Sequence, residues 1–192
     1  MLLWLKFRRT PAVAAVVAVV GLGSAAGSGH VIDVPTLIGG GSQPLLLGTF
    51  LPLILAASVG YSLTTVAHQV EYRATPWLAR LDAALVLAIV ASSAVVLSVT
   101  DPDNSSRAVA HCSILVGVVL VFSRTLGTNW AVFSATALML TTSSYSAHLN
   151  GASYVRVLQP DGDEGITIAL AVIMLTIGLV LLVVDRRPSS SA

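Results

Sequence analysis

Residues 165–184 read GITIALAVIMLTIGLVLLVV, twenty residues without one Asp, Glu, Lys or Arg, closed by Asp185-Arg186-Arg187. A helix needs about 20 mostly apolar residues to cross a hydrocarbon core of about 30 Å. This stretch meets that length, and its charged border marks where it ends. Working back toward the N-terminus, five more apolar stretches appear, near Thr10–Ala26, Pro44–Ala67, Leu81–Val99, Ala108–Phe122 and Trp130–His148. The fourth, at 108–122, is the shortest and is expected to extend toward Arg107 or Arg124. Asp82 is the only Asp, Glu, Lys or Arg inside any of the six. The predicted fold is all-α: one polytopic transmembrane domain over 1–192, with six spans at about 10–26, 44–67, 81–99, 108–122, 130–148 and 165–184. The tail 185–192, which ends PSSSA, is predicted disordered.

Composition agrees. Of 192 residues 55% are apolar and 10% charged, against about 25% charged in soluble domains. The net charge of +1 offers no basic stripe for nucleic acid. One cysteine, Cys112, excludes an intrachain disulfide or a cysteine-based zinc cluster.

Basic residues set the orientation. With six spans, one side holds Lys6, Arg8, Arg9, Arg73, Arg80, Arg124, Arg186 and Arg187, and the other only Arg107 and Arg156. Both termini are therefore expected in the cytoplasm. A second reading of the first span stays open, because KFRR, AVAAVVAVVGLG and GSAAGSG together look like a cleavable secretory signal. Cleavage would leave five spans in the same orientation. The outer loop Gly27–Gln43 is expected to form turns around one short apolar segment, VIDVPTLI, lying on the membrane surface.

Lys6 is the only lysine and has no glycine-rich loop around it. A phosphate-binding loop needs its lysine to reach the β- and γ-phosphates, so no ATP site of that kind is expected in this chain. No nucleophile, base and oxyanion set appears either, and the chain is not expected to be an enzyme.

The most informative polar stretch is the inner segment His68–Asp82, which carries Glu71, Tyr72, Arg73, Trp77 and Arg80. Thr75-Pro76 suits a helix start, and a short amphipathic helix along the cytoplasmic surface is predicted to follow. The competing reading is a plain connecting loop with Trp77 in the aromatic belt. Asp82 is read as a carboxylate favoured by a helix N-terminus.

Thr141, Thr142, Ser143, Ser144 and Tyr145 belong to a run of six hydroxylated residues ending at Ser146. Such a run covers every helix face, and it either bonds back to the helix or lines a polar pathway. His30, His111 and His148 fall toward the outer face, with Cys112 beside His111. They lack close ligand spacing, so neither a metal nor another cofactor is expected.

The layout resembles the small bacterial, actinobacterial-like ABC-2-type permease subunits of ABC transporters. The resemblance lies in six helices within about 190 residues, internal termini and minimal loops. The Glu-Tyr-Arg…Trp…Arg-Leu-Asp segment sits where that family has its coupling helix. Arg124-Thr-Leu-Gly127 and the Tyr154…Leu158-Gln-Pro160 loop are similar to segments of such proteins. The resemblance implies an exporter subunit of the bacterial inner membrane. Two permease subunits, identical or different, would form the pathway, and a separate cytoplasmic ATP-binding subunit would dock on Glu71, Tyr72, Arg73, Trp77 and Arg80. Two other classes stay open: an accessory or immunity membrane protein, and a membrane-embedded metal-handling protein using the outer histidines.

Orientation is directly testable. Cysteines placed singly at Ser42, Ser105 and Gly162 are expected to react with an impermeant thiol reagent in intact cells, and one at Ser189 is not. Labelling at Ser189 with protection at Ser105 would invert the topology.

Overall fold

The computed structural model describes residues 10–27, 31–35, 42–46, 50–64, 76–100, 105–146 and 163–184. These form six helices: α1 (Thr10–Gly27), α2 (Leu51–Thr64), α3 (Pro76–Thr100), α4 (Ser105–Thr125), α5 (Thr128–Ser146) and α6 (Glu164–Val184). Two short strands, β1 (Val31–Pro35) and β2 (Ser42–Leu46), pair antiparallel between α1 and α2.

The helices begin and end where local chemistry dictates. Pro76 opens α3, where a missing N–H costs nothing. Gly127 closes α4 at φ 87°, the left-handed conformation that glycine adopts without strain. Leu126 and Gly127 alone separate α4 from α5, so the chain reverses in one tight corner. At α6 the Asp163 carboxylate accepts from the N–H groups of Gly165 (2.9 Å) and Ile166 (3.3 Å), an N-cap that satisfies donors the helix itself cannot.

Helix α4 is the centre. It packs against α2, α3, α5 and α6, and most extensively against α6. Every residue from Cys112 to Leu120 is buried. A run buried on all sides of a helix requires neighbours on all sides. The outer helices do the reverse. Leu87, Val95 and Val99 of α3 are exposed, as are Val172, Ile173, Ile177, Val180 and Val184 of α6. Soluble proteins seldom leave so much contiguous apolar surface open to water. Three helices are long and apolar enough to cross a membrane: Ala79–Thr100, Ser105–Thr125 and Glu164–Val184.

Glycines set how closely the helices approach. A Cβ added at Gly117 would lie 2.6 Å from the Met174 carbonyl carbon, and one at Gly178 would lie 2.9 Å from Leu120 Cβ. Helices α4 and α6 therefore touch almost backbone to backbone. Gly60 of α2 is similarly placed against Val119, and Gly21 of α1 against Val96 of α3.

Polar contacts fix the directions. Ser106 Oγ donates to Glu164 Oε1 at 2.6 Å, joining the N-terminal ends of α4 and α6. Arg124 reaches the Leu182 carbonyl at 3.5 Å, at their C-terminal ends. The two helices thus run parallel. Tyr61 donates to Asn129 Oδ1 at 3.0 Å, which brings the end of α2 to the start of α5. Gly23 lies against Leu51, so the end of α1 meets the start of α2. The six helices alternate up and down, and the start of α1 shares one end of the bundle with the end of α6.

Two expectations require correction. The segment Pro44–Ala67 is not one helix, because Pro44–Leu46 lies in β2 and the helix spans Leu51–Thr64. A short apolar run reads equally as strand or buried helix, and only its partner decides. That partner is the segment at Val31–Pro35, with Asp33 opposite Pro44. It pairs in an antiparallel ribbon where a lone surface segment was expected.

The close approach predicts an unusual sign. Alanine normally stabilises a helix interior over glycine by roughly 0.5–1 kcal/mol. Gly117→Ala is instead expected to destabilise, by about 1–3 kcal/mol as overpacking does, because Met174 backbone stands in the way. Thermal unfolding in detergent checks this. A raised midpoint would mean that α4 and α6 are further apart.

Candidate functional site

One end of the bundle gathers the start of α3, the end of α2, the α4–α5 corner and the end of α6. Arg80 and Arg124 are both exposed there. Of the expected coupling residues, Glu71, Tyr72 and Arg73 lie outside the described residues. Trp77 and Arg80 do not sit on a separate surface helix, which corrects the expectation. They occupy the first two turns of α3, which continues unbroken from Pro76 to Thr100. The reason is local. Residues 78–84 read LARLDAA, good helix formers without Gly or Pro, so nothing ends a helix that Pro76 has begun.

This continuity changes the reading of Asp82. The first turn of α3 contains no acidic residue, and Asp82 is its seventh residue. The helix dipole acts within about one turn, so a simple end effect does not account for it. Asp82 is 7% exposed and engaged in a polar contact. It is a buried acid two residues from an exposed arginine.

The hydroxylated run lies on the last turns of α5. Thr141 is exposed, and its Oγ1 donates to the carbonyls of Ala137 (2.8 Å) and Leu138 (3.0 Å) in its own helix. For Thr142, Ser143, Ser144 and Tyr145 the described backbone is helical. The buried hydroxyls behave like Thr141. Ser62 donates to Val59, Ser93 to Val90, Ser113 to Val109 and Thr167 to Asp163, each to a carbonyl one turn back. Back-bonding of this kind removes a donor from an apolar interior without a partner helix.

At the opposite end of the bundle, His111 is half-buried on α4 beside the buried Cys112. His30 and His148 lie outside the described residues. Among the described residues no three His, Cys, Asp or Glu side chains gather as a metal site would require.

Four contacts escaped the sequence reading: Ser106 with Glu164, Arg124 with the Leu182 carbonyl, Tyr61 with Asn129, and the edge-to-face pair Trp130–Phe133, whose ring centroids are 5.8 Å apart. The first three join residues 58 or more positions apart, which no local pattern signals. The last spans three residues on one helix, a spacing at which side chains meet.

The chain matches no family model, no curated protein and no solved structure.

Burial separates the two charged residues of α3 experimentally. Asp82→Ala is expected to cost about 1–3 kcal/mol of stability, because it strips a buried polar contact. Arg80→Ala is expected to stay within about 0.5 kcal/mol, as exposed substitutions do. Unfolding midpoints of the two variants check this, and equal losses would contradict the placement of Asp82.

Proposed function

We propose that this chain is the membrane-spanning permease subunit of an ABC-2-type exporter in the bacterial inner membrane, with six spans and both termini cytoplasmic. It works as a homodimer or heterodimer of permease subunits and is driven by a separate cytoplasmic ATP-binding subunit.

The observation that carries the reading is the continuity of α3. On this reading Trp77 and Arg80 meet the cytoplasmic partner, and they lie in the first two turns of a helix of 25 residues that packs on α1, α4 and α6. A push at its first turns moves a rigid rod through the bundle instead of bending a loop. Support for six crossings comes from the parallel pair. If α4 and α6 both cross in one direction, the chain between them crosses back, and α5 lies along α4 to do so. Its 19 residues span about 28 Å at 1.5 Å per residue, close to the hydrocarbon thickness. Support for a dimer comes from α4. The buried run Cys112–Leu120 fills the protomer's centre, so a substrate pathway belongs between subunits. Thr141–Tyr145 are the candidate lining.

The test is co-purification from membranes in mild detergent. An ATPase subunit is expected with the wild-type chain, and the chain alone is expected to hydrolyse no ATP. Trp77→Ala with Arg73→Ala is expected to weaken that association more than about tenfold, the effect of truncating a buried interface aromatic. Membrane insertion should be unchanged. Wild-type membranes that yield no ATPase partner would overturn the permease reading in favour of an accessory membrane protein.

A further inference from the structure

We propose that the α4–α5 corner is a lipid-headgroup anchor that fixes the depth of the bundle in the inner leaflet. It rests on the proposed orientation, in which α4 crosses the bilayer with its C-terminal end inside, and it does not depend on transport or on an ATPase.

The corner combines features that neither water nor hydrocarbon suits. Phe122, Leu126, Trp130 and Phe133 are 36%, 54%, 61% and 63% exposed. They fall within twelve residues of sequence around a two-residue turn. Water around such a cluster is unfavourable. Yet the same corner carries the exposed Arg124, Thr125 and Asn129, which the bilayer core would penalise. Trp and Tyr prefer the level between, where an apolar ring and a polar edge are both satisfied. Tyr61 shares that level, because its hydroxyl donates to Asn129 Oδ1. Trp130 is held by its edge-to-face contact with Phe133.

Charge selects the occupant. Arg80 is exposed at this end of the bundle, and the exposed Arg124 keeps further N–H donors beside the one that reaches the Leu182 carbonyl; anionic headgroups of the cytoplasmic leaflet attract basic residues. The corner is also too short to project. With Gly127 in the left-handed conformation at φ 87°, α5 restarts at Thr128 and Trp130 lies within its first turn. These side chains therefore stay at the level where α2 and α6 end. A cytoplasmic partner meeting the first turns of α3 would leave this corner to lipid.

The test uses the full chain in vesicles of phosphatidylcholine and phosphatidylglycerol, with Trp4→Phe and Trp77→Phe leaving Trp130 as the single indole. Its emission is expected to be quenched more by lipids brominated near the headgroup than by lipids brominated near the chain ends. Aqueous iodide should quench it less than it quenches free tryptophan. Trp130→Phe in the otherwise wild-type chain is expected to reduce the headgroup-quenched emission, which tests the assignment without the double background. Strong iodide quenching without bromolipid quenching would overturn the proposal by placing the corner in water. Strongest quenching from the chain ends would overturn it by placing the corner in the bilayer core.

Discussion

The near contact of the α4 and α6 backbones at Gly117 and Gly178 is the constraint on which the rest of the bundle depends. In lipid, burying an apolar side chain against another helix gains little, because hydrocarbon tails already surround it. Association then rests on close packing and on a few polar contacts. Gly117 supplies the close packing by admitting Met174 backbone, and Gly178 does so by admitting Leu120. The polar contacts sit at the two ends, Ser106 with Glu164 and Arg124 with the Leu182 carbonyl. Together they make α4 and α6 a parallel pair, and a parallel pair obliges α5 to return between them.

Around that pair the polarity of a soluble protein is reversed. Outward faces of α3 and α6 are apolar, while buried Ser62, Ser93, Ser113 and Thr167 donate to carbonyls of their own helices or, for Thr167, to the capping residue of α6. These four hydroxyl donors are therefore satisfied without water. On the proposed reading the inner end is divided. The first turns of α3 face a driving partner, and the α4–α5 corner faces lipid.

Helices were legible in the sequence because their signal is local. The stretch at 165–184 could be little else, and α4 extends to Ser105–Thr125 as its short apolar core had suggested. What escaped the reading is non-local. The strand at Ser42–Leu46 exists only because Val31–Pro35 pairs with it. Similarly, the charge and Trp77 after Thr75-Pro76 suggest a short surface helix, whereas no Gly or Pro stops the helix that Pro76 begins. Asp82 was read from its distance to the span edge, but its burial depends on where α3 begins. Arg80 and Arg124 were nameable as types, whereas their placement at one end of the bundle needed the fold.

The parallel α4–α6 pair is the claim to test first. A chain with Cys112→Ala would carry Ser106→Cys with Glu164→Cys, or Ser106→Cys with Val184→Cys, and be treated in membranes with a short thiol-to-thiol cross-linker. The account predicts an intramolecular link, seen as a mobility shift or by mass spectrometry of a proteolytic digest, for the Ser106–Glu164 pair alone. Linking of Ser106 to position 184, with none to 164, would contradict it, because the two helices would then run antiparallel.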